Sequence, residues 1–150
     1  MPISARFAMA AHVLGMLALR ERAGAGPATS EVLAASVNTN PVVVRRIIGE
    51  LRRAGLVRTR RGVGGGAVLA RAPDAITLRQ VYEAVAEPSP LLPCAPGTPK
   101  TRCDLGARAH EVLGEVVADA EEALRVRLAR TTVADLADRI EAGSPCRGAG

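Results

Sequence analysis

The 150-residue sequence predicts a mainly α fold with a small β-wing and one long helix near its C-terminal end. Three observations predict it. Apolar residues recur at three- and four-residue spacing through most of the chain, the periodicity of amphipathic helices. One stretch, Leu56 to Ala70, reads instead as two short strands around a glycine-rich turn. A segment from Leu105 to Arg130 keeps an apolar stripe for about seven helical turns, longer than a domain of this size covers alone.

The first helix starts from Ser4 as a cap and carries Phe7, Ala10, Val13, Leu14, Leu17 and Ala18 on one side, ending before Gly24. Thr29 or Ser30 caps a short helix, Glu31 to Ala35, and the segment from Ser36 to Asn40 makes a turn. Asn40-Pro41 then opens a helix with a cap and a proline at its first position, and Gly55 stops it. Two helices joined so closely form a helix-turn-helix. In the second, Val44, Ile47, Ile48 and Leu51 share the inner face, leaving Val42, Val43, Arg45, Arg46, Glu50, Arg52 and Arg53 more exposed.

After Gly55, Leu56 to Arg60 reads as a strand and Ala67 to Ala70 as its return, with the glycines from Gly62 to Gly66 supplying positive φ at the tip. A phosphate-cradling loop would end in Gly-Lys-Ser/Thr and open a helix, and this stretch does neither. The hairpin is therefore a wing, and the fold class is a winged helix-turn-helix plus a long dimerisation helix. Asp74 or Thr77 begins a further amphipathic helix, Leu78 to Val85, and a Pro/Gly-rich loop follows. The stripe Ala109, Val112, Leu113, Val116, Val117, Ala120, Leu124 and Leu128 on the long helix is explained by antiparallel pairing with a second copy of the chain. Thr132 with Asp135 resembles a capping box for a last helix ending at Ala142. The expected divisions are 1–87 for the DNA-binding domain, 88–104 for a sensor-type loop, 105–142 for the dimerisation and C-terminal helices, and 143–150 for a tail.

Charge is unevenly placed. Residues 1–71 hold eleven basic and three acidic side chains, net +8, and the remainder nine and twelve, net −3. The basic half suits a polyanion such as nucleic acid. With one Phe, one Tyr and no Trp, stacking on single-stranded nucleic acid is nearly excluded, and the helix-turn-helix makes double-stranded DNA the expected partner. The start of the chain lacks a cleavage-site pattern, and no apolar run reaches membrane-spanning length, so the expectation is a cytoplasmic protein with no membrane partner. Three cysteines, an odd number, suit free thiols in a reducing compartment. The chain carries no Ser-His-Asp set and no Cys/His spacing of a structural zinc site, and His110 has no ligand neighbour in sequence, so no enzyme and no catalytic residue is expected.

The series SARFAMAAHVLGMLAL, LAASVNTNPVVVRRIIGELRRAGLVRTRRGVGGGAVLA, ITLRQVYEAV and TTVADL resembles the Rrf-type family of bacterial winged-helix transcription regulators over residues 3 to about 140. The resemblance implies a homodimer with a crossing dimerisation helix that binds an operator of two-fold symmetry, usually to repress. It also implies that the start of the recognition helix enters the major groove and that the arginine before the wing tip enters the minor groove. The matching positions are Thr39, Asn40, Val43 and Val44, and Arg61.

From the residues themselves, Asn40 and Thr39 can hydrogen-bond base edges or phosphate, Val43 can meet a thymine methyl, and Arg45 and Arg46 can reach bases or backbone. Ser30, Arg58 and Arg60 would hold phosphates, and Arg61 suits a narrow A·T-rich minor groove. Cluster-binding relatives carry three closely spaced cysteines before the long helix, whereas this chain has Cys94 and Cys103 with eight residues between them, and Cys146 in the tail. No cofactor is assigned; an iron–sulfur cluster would need Cys94, Cys103, His12 and a fourth group. The leading sensor is Cys103, with Cys94 as the second thiol, because Lys100, Arg102 and a helix start lower a thiol pKa. The competing readings are inert cysteines with a small molecule or partner protein gating the dimer, and a winged domain used only for protein interaction.

Overall fold

The computed structural model describes residues 3–86 and 104–143. It consists of α1 (Ile3–Arg22), α2 (Ser30–Val37), α3 (Pro41–Arg53), β1 (Val57–Arg60), β2 (Gly66–Leu69), α4 (Leu78–Val85), α5 (Asp104–Ala129) and α6 (Val133–Gly143), with a short 3-10 turn at Pro73–Ala75. The mainly helical architecture with one small sheet is the one expected. Ser4 lies inside α1 rather than capping it, and α2 is capped by Thr29, whose hydroxyl accepts from the Val32 N–H, so Ser30 is its first helical residue.

The core is aliphatic. Val13, Leu14 and Leu17 of α1, Leu33 of α2, Val44, Ile47 and Leu51 of α3, and Val81 and Val85 of α4 are buried together. These are the residues whose helical spacing marked one face of each segment, and their burial drives the helices together. Burial also corrects one expectation: Glu50 is buried on α3, where its Oε1 accepts a 2.6 Å hydrogen bond from Arg6 of α1. A carboxylate reads as solvated by default, and the partner 44 positions earlier cannot be found by helical spacing.

β1 and β2 pair antiparallel, Val57 with Leu69 through Arg60 with Gly66. The wing has a third edge: Ala28 exchanges two backbone hydrogen bonds with Ala67, at 3.0 and 2.8 Å. The Arg20 guanidinium places that edge by donating to the carbonyls of Ala25, Gly26 and Pro27. Gly66 is required here, because its φ is +145° and a Cβ would lie 2.4 Å from the Ala28 carbonyl oxygen. At the tip the Gly65 N–H donates to the Gly62 carbonyl, and Val63 is fully exposed.

α4 begins with a capping box in which Thr77 accepts from the Gln80 N–H and the Gln80 side chain accepts from the Thr77 N–H. Thr132 and Asp135 make the equivalent reciprocal pair at α6 despite the aspartate. The 26-residue α5 packs on α4, and α6 turns back onto α1, where the Gly15 position leaves room for Ile140 and Leu136.

Candidate nucleic-acid interface

The turn between α2 and α3 depends on two asparagines. Asn38 takes up left-handed backbone at φ +55°, a conformation its short polar side chain tolerates, and the Thr39 N–H returns to the Ala34 carbonyl. Asn40 then caps α3 by accepting the Val42 N–H at 2.8 Å. The cap fixes where the helix starts and therefore which side chains face outward.

That outward face is Val42, Arg45, Arg46, Gly49, Arg52 and Arg53, the i, i+3, i+4 series opposite the core. Val42 is 64% exposed, Val43 is partly covered against the core, and Val44 is fully buried. Val44 thus belongs to the core and is corrected from a groove-facing residue: the helical step of about 100° carries three consecutive valines from solvent to interior. Val42, which the sequence placed among exposed residues without a role, is the most exposed of the three.

Arg45 pairs with Glu31 of α2 at 2.8 Å, and Arg46 lies 3.8 Å from Glu50 Oε1. The Glu31 carboxyl is held below the ordinary carboxylate range first by its own backbone N–H and then by the Arg45 and Thr29 side chains. Both members of the Glu31–Arg45 pair are exposed, so the guanidinium can leave its carboxylate for a phosphate or base at small cost.

The wing divides its basic residues between two sides. Thr59 shares a cleft of about 280 Å³ with Ser30, Arg45, Gly49 and Arg52. Arg58 and Arg60, one position away on either side, line a different cleft of about 300 Å³ with Leu17, Glu21 and Gly26. Strand alternation accounts for the split. Ser30 is thereby brought together with Arg45 rather than with Arg58 and Arg60. Arg52 and Thr59 line this cleft but were not among the candidate residues, and the i+3, i+10 relation of Arg45 and Arg52 to Val42 was the available signal. Arg61 is exposed just before the wing tip.

His12 sits half-buried on α1 with its Nε2 2.9 Å from the Ser36 hydroxyl, tying α1 to α2. Cys94, Cys103 and Cys146 lie outside the described residues. Among the described residues no group of three or more His, Cys, Asp or Glu side chains could hold a metal ion, and His12 is engaged by Ser36; Cys94 and Cys103, the other donors a cluster would need, are not among those residues. No helix among the described residues is long and apolar enough to cross a membrane.

Comparison with known proteins meets this geometry. The Rrf2 family, described as an iron-dependent transcriptional regulator, matches residues 3–139. YwnA of Bacillus subtilis, which carries a provisional name as an HTH-type transcriptional regulator, is 34% identical over 92% of this chain and 98% of its own length. The HTH-type transcriptional regulator CymR of the same organism is 32% identical over 68% of this chain and 74% of its own. The crystal structure of CymR, the global cysteine regulator of B. subtilis, superposes with a TM-score of 0.60 over 89% of this chain and 94% of that one at 26% identity. IscR of T. potens shares the fold, with a TM-score of 0.67 over 97% and 90% of the two chains at 21% identity. The matched family and relatives are transcriptional regulators, not enzymes.

Proposed function

The chain belongs to the Rrf2 family of DNA-binding transcriptional regulators, and we propose that it acts in the cytoplasm as a homodimer that binds a two-fold symmetric operator and represses from it. The observation that carries this reading is the exposed face of α3, which presents Val42, Arg45 and Arg46 beside a capped helix start and an arginine-bearing wing. In the major groove Asn40 and Thr39 meet base edges or phosphate, Val42 meets a thymine methyl, and Arg45 and Arg46 reach guanine or backbone. Arg61 enters the flanking minor groove, where a narrow A·T-rich segment concentrates negative potential.

The support for the dimer is α5. Val112, Leu113 and Val116 are each more than half exposed along one side of a helix about 39 Å long. A second copy crossing antiparallel covers that stripe and sets two recognition helices about 34–36 Å apart, one duplex turn. Cys103 is the thiol assigned to sensing an oxidant or electrophile, on the strength of Lys100 and Arg102 nearby in the sequence and its place immediately ahead of α5.

The test is selection of bound sequences from a random duplex pool, with sedimentation velocity on the same protein. An inverted repeat and a dimer mass are expected, with affinity falling steeply with salt. Recovery of single half-sites by a monomer would overturn the symmetric reading. Oxidant should release wild type from the selected site and leave Cys103→Ser bound.

A further inference from the structure

Gly49 occupies the interior of α3, where glycine is the least favourable residue after proline. Internal packing does not ask for it. Its backbone is not in the left-handed region, and a Cβ built there meets no heavy atom within 4 Å. The missing side chain leaves space open to the outside of the molecule.

That space is the floor of the 280 Å³ cleft between α2, α3 and the wing. Arg45 stands one turn before Gly49 and Arg52 nearly one turn after it, while Ser30 and Thr59 supply hydroxyls from two other elements. No carboxylate lines the cleft; Glu31 reaches its Arg45 through an exposed pair. Two guanidinium groups and two hydroxyls around a bare stretch of helix backbone fit an anion carried on a chain that has to come close.

We infer that this cleft seats one backbone phosphate of duplex DNA, and that Gly49 is the surface against which the sugar–phosphate chain packs. The inference rests on the DNA-binding reading and adds to it Gly49, Arg52 and Thr59 as positioning residues. A seated phosphate fixes how deeply and at what angle α3 enters the groove, and it carries no base information itself. Seating it also draws Arg45 from Glu31, an exposed pair that separates at small cost.

The experiment uses the full chain and a mixed-sequence duplex of about 30 base pairs, with affinity followed across salt concentration. Gly49→Ala, Arg52→Ala and the control Arg71→Ala, an exposed arginine outside the cleft, are compared with wild type. Gly49→Ala should melt at a higher temperature than wild type, because alanine is the better helix former, and yet bind about tenfold more weakly. Arg52→Ala should lower the salt slope by about 0.9 per protomer, and Arg71→Ala should leave it unchanged. Wild-type affinity in Gly49→Ala, or an Arg52→Ala slope equal to that of Arg71→Ala, would sink the seat alone. Wild type without salt-dependent binding would sink the DNA-binding reading with it. Should Gly49→Ala fail to fold, the slope of Arg52→Ala still decides.

Discussion

Arg6 of α1 donates to Oε1 of Glu50 at 2.6 Å, and both side chains are buried. The pair joins α1 to the middle of α3, one turn along from Arg46. The second Glu50 oxygen is buried without a hydrogen-bond partner, so the pair fixes the orientation of α3 without being an optimal stabiliser.

Removing one member should cost far more than removing both. Arg6→Ala or Glu50→Ala is expected to lose about 3–5 kcal/mol of stability, because each removes the 2.6 Å partner of a buried charge. The double replacement Arg6→Met with Glu50→Leu should return close to wild type. Denaturant unfolding of the four proteins measures the coupling, and single variants within about 1 kcal/mol of wild type would contradict it.

Gly66→Ala should disturb the wing. Its φ of +145° and the 2.4 Å approach of a Cβ to the Ala28 carbonyl leave no room for the methyl group. A loss of about 1–3 kcal/mol is expected, together with weaker discrimination in favour of A·T-rich flanks as Arg61 loses its placement. Melting temperature and binding to flank-varied duplexes check the two parts.

The three valines at the start of α3 should separate cleanly. Val44→Ala empties a buried position and is expected to cost about 1–3 kcal/mol with little change in sequence preference. Val42→Ala, exposed, should stay within about 0.5 kcal/mol of wild-type stability. It should also lose the affinity difference between duplexes carrying thymine and uracil, which differ by the methyl group proposed to meet Val42. An unchanged thymine preference in Val42→Ala would return that contact to another residue.

A charge placed on the α5 stripe should dissociate the dimer without unfolding the protomer. Leu113→Glu and Val116→Glu alter exposed positions, so helix content should hold. Sedimentation should then report the protomer mass, and operator affinity should fall by more than tenfold as the second half-site contact is lost. Dimers of unchanged strength would move the interface elsewhere.

Asp135 gives the C-terminal helix an acid-sensitive start. Its carboxyl is held below the ordinary range first by the Thr132 backbone N–H and then by the Thr132 hydroxyl. A folded-state pKa depressed this way means stabilisation fully present above the unfolded value of about 3.9 and lost as pH falls through the lower folded value. Wild type should therefore exceed Asp135→Asn in stability at neutral pH and through the ordinary carboxylate range, and the gap should close at more acid pH. A gap that stays constant to acid pH would assign the difference to packing.

The sequence by itself determined the helices, their inner faces and the wing, because these depend on short-range physics. Helical periodicity marked Val44, Ile47, Ile48 and Leu51, Asn40-Pro41 marked the start of α3, and the glycines between Arg61 and Ala67 marked the turn. Capping at Thr77 and Thr132 was equally local. The family resemblance, too, followed from contiguous residues. Only the tertiary structure decided matters that join distant positions. It buried Glu50 against Arg6 and packed Val43 partly against the core. It also set Ser30, Gly49 and Arg52 around one cleft. Contacts of this kind depend on the angle at which separate elements pack, and periodicity within one element carries no record of that angle.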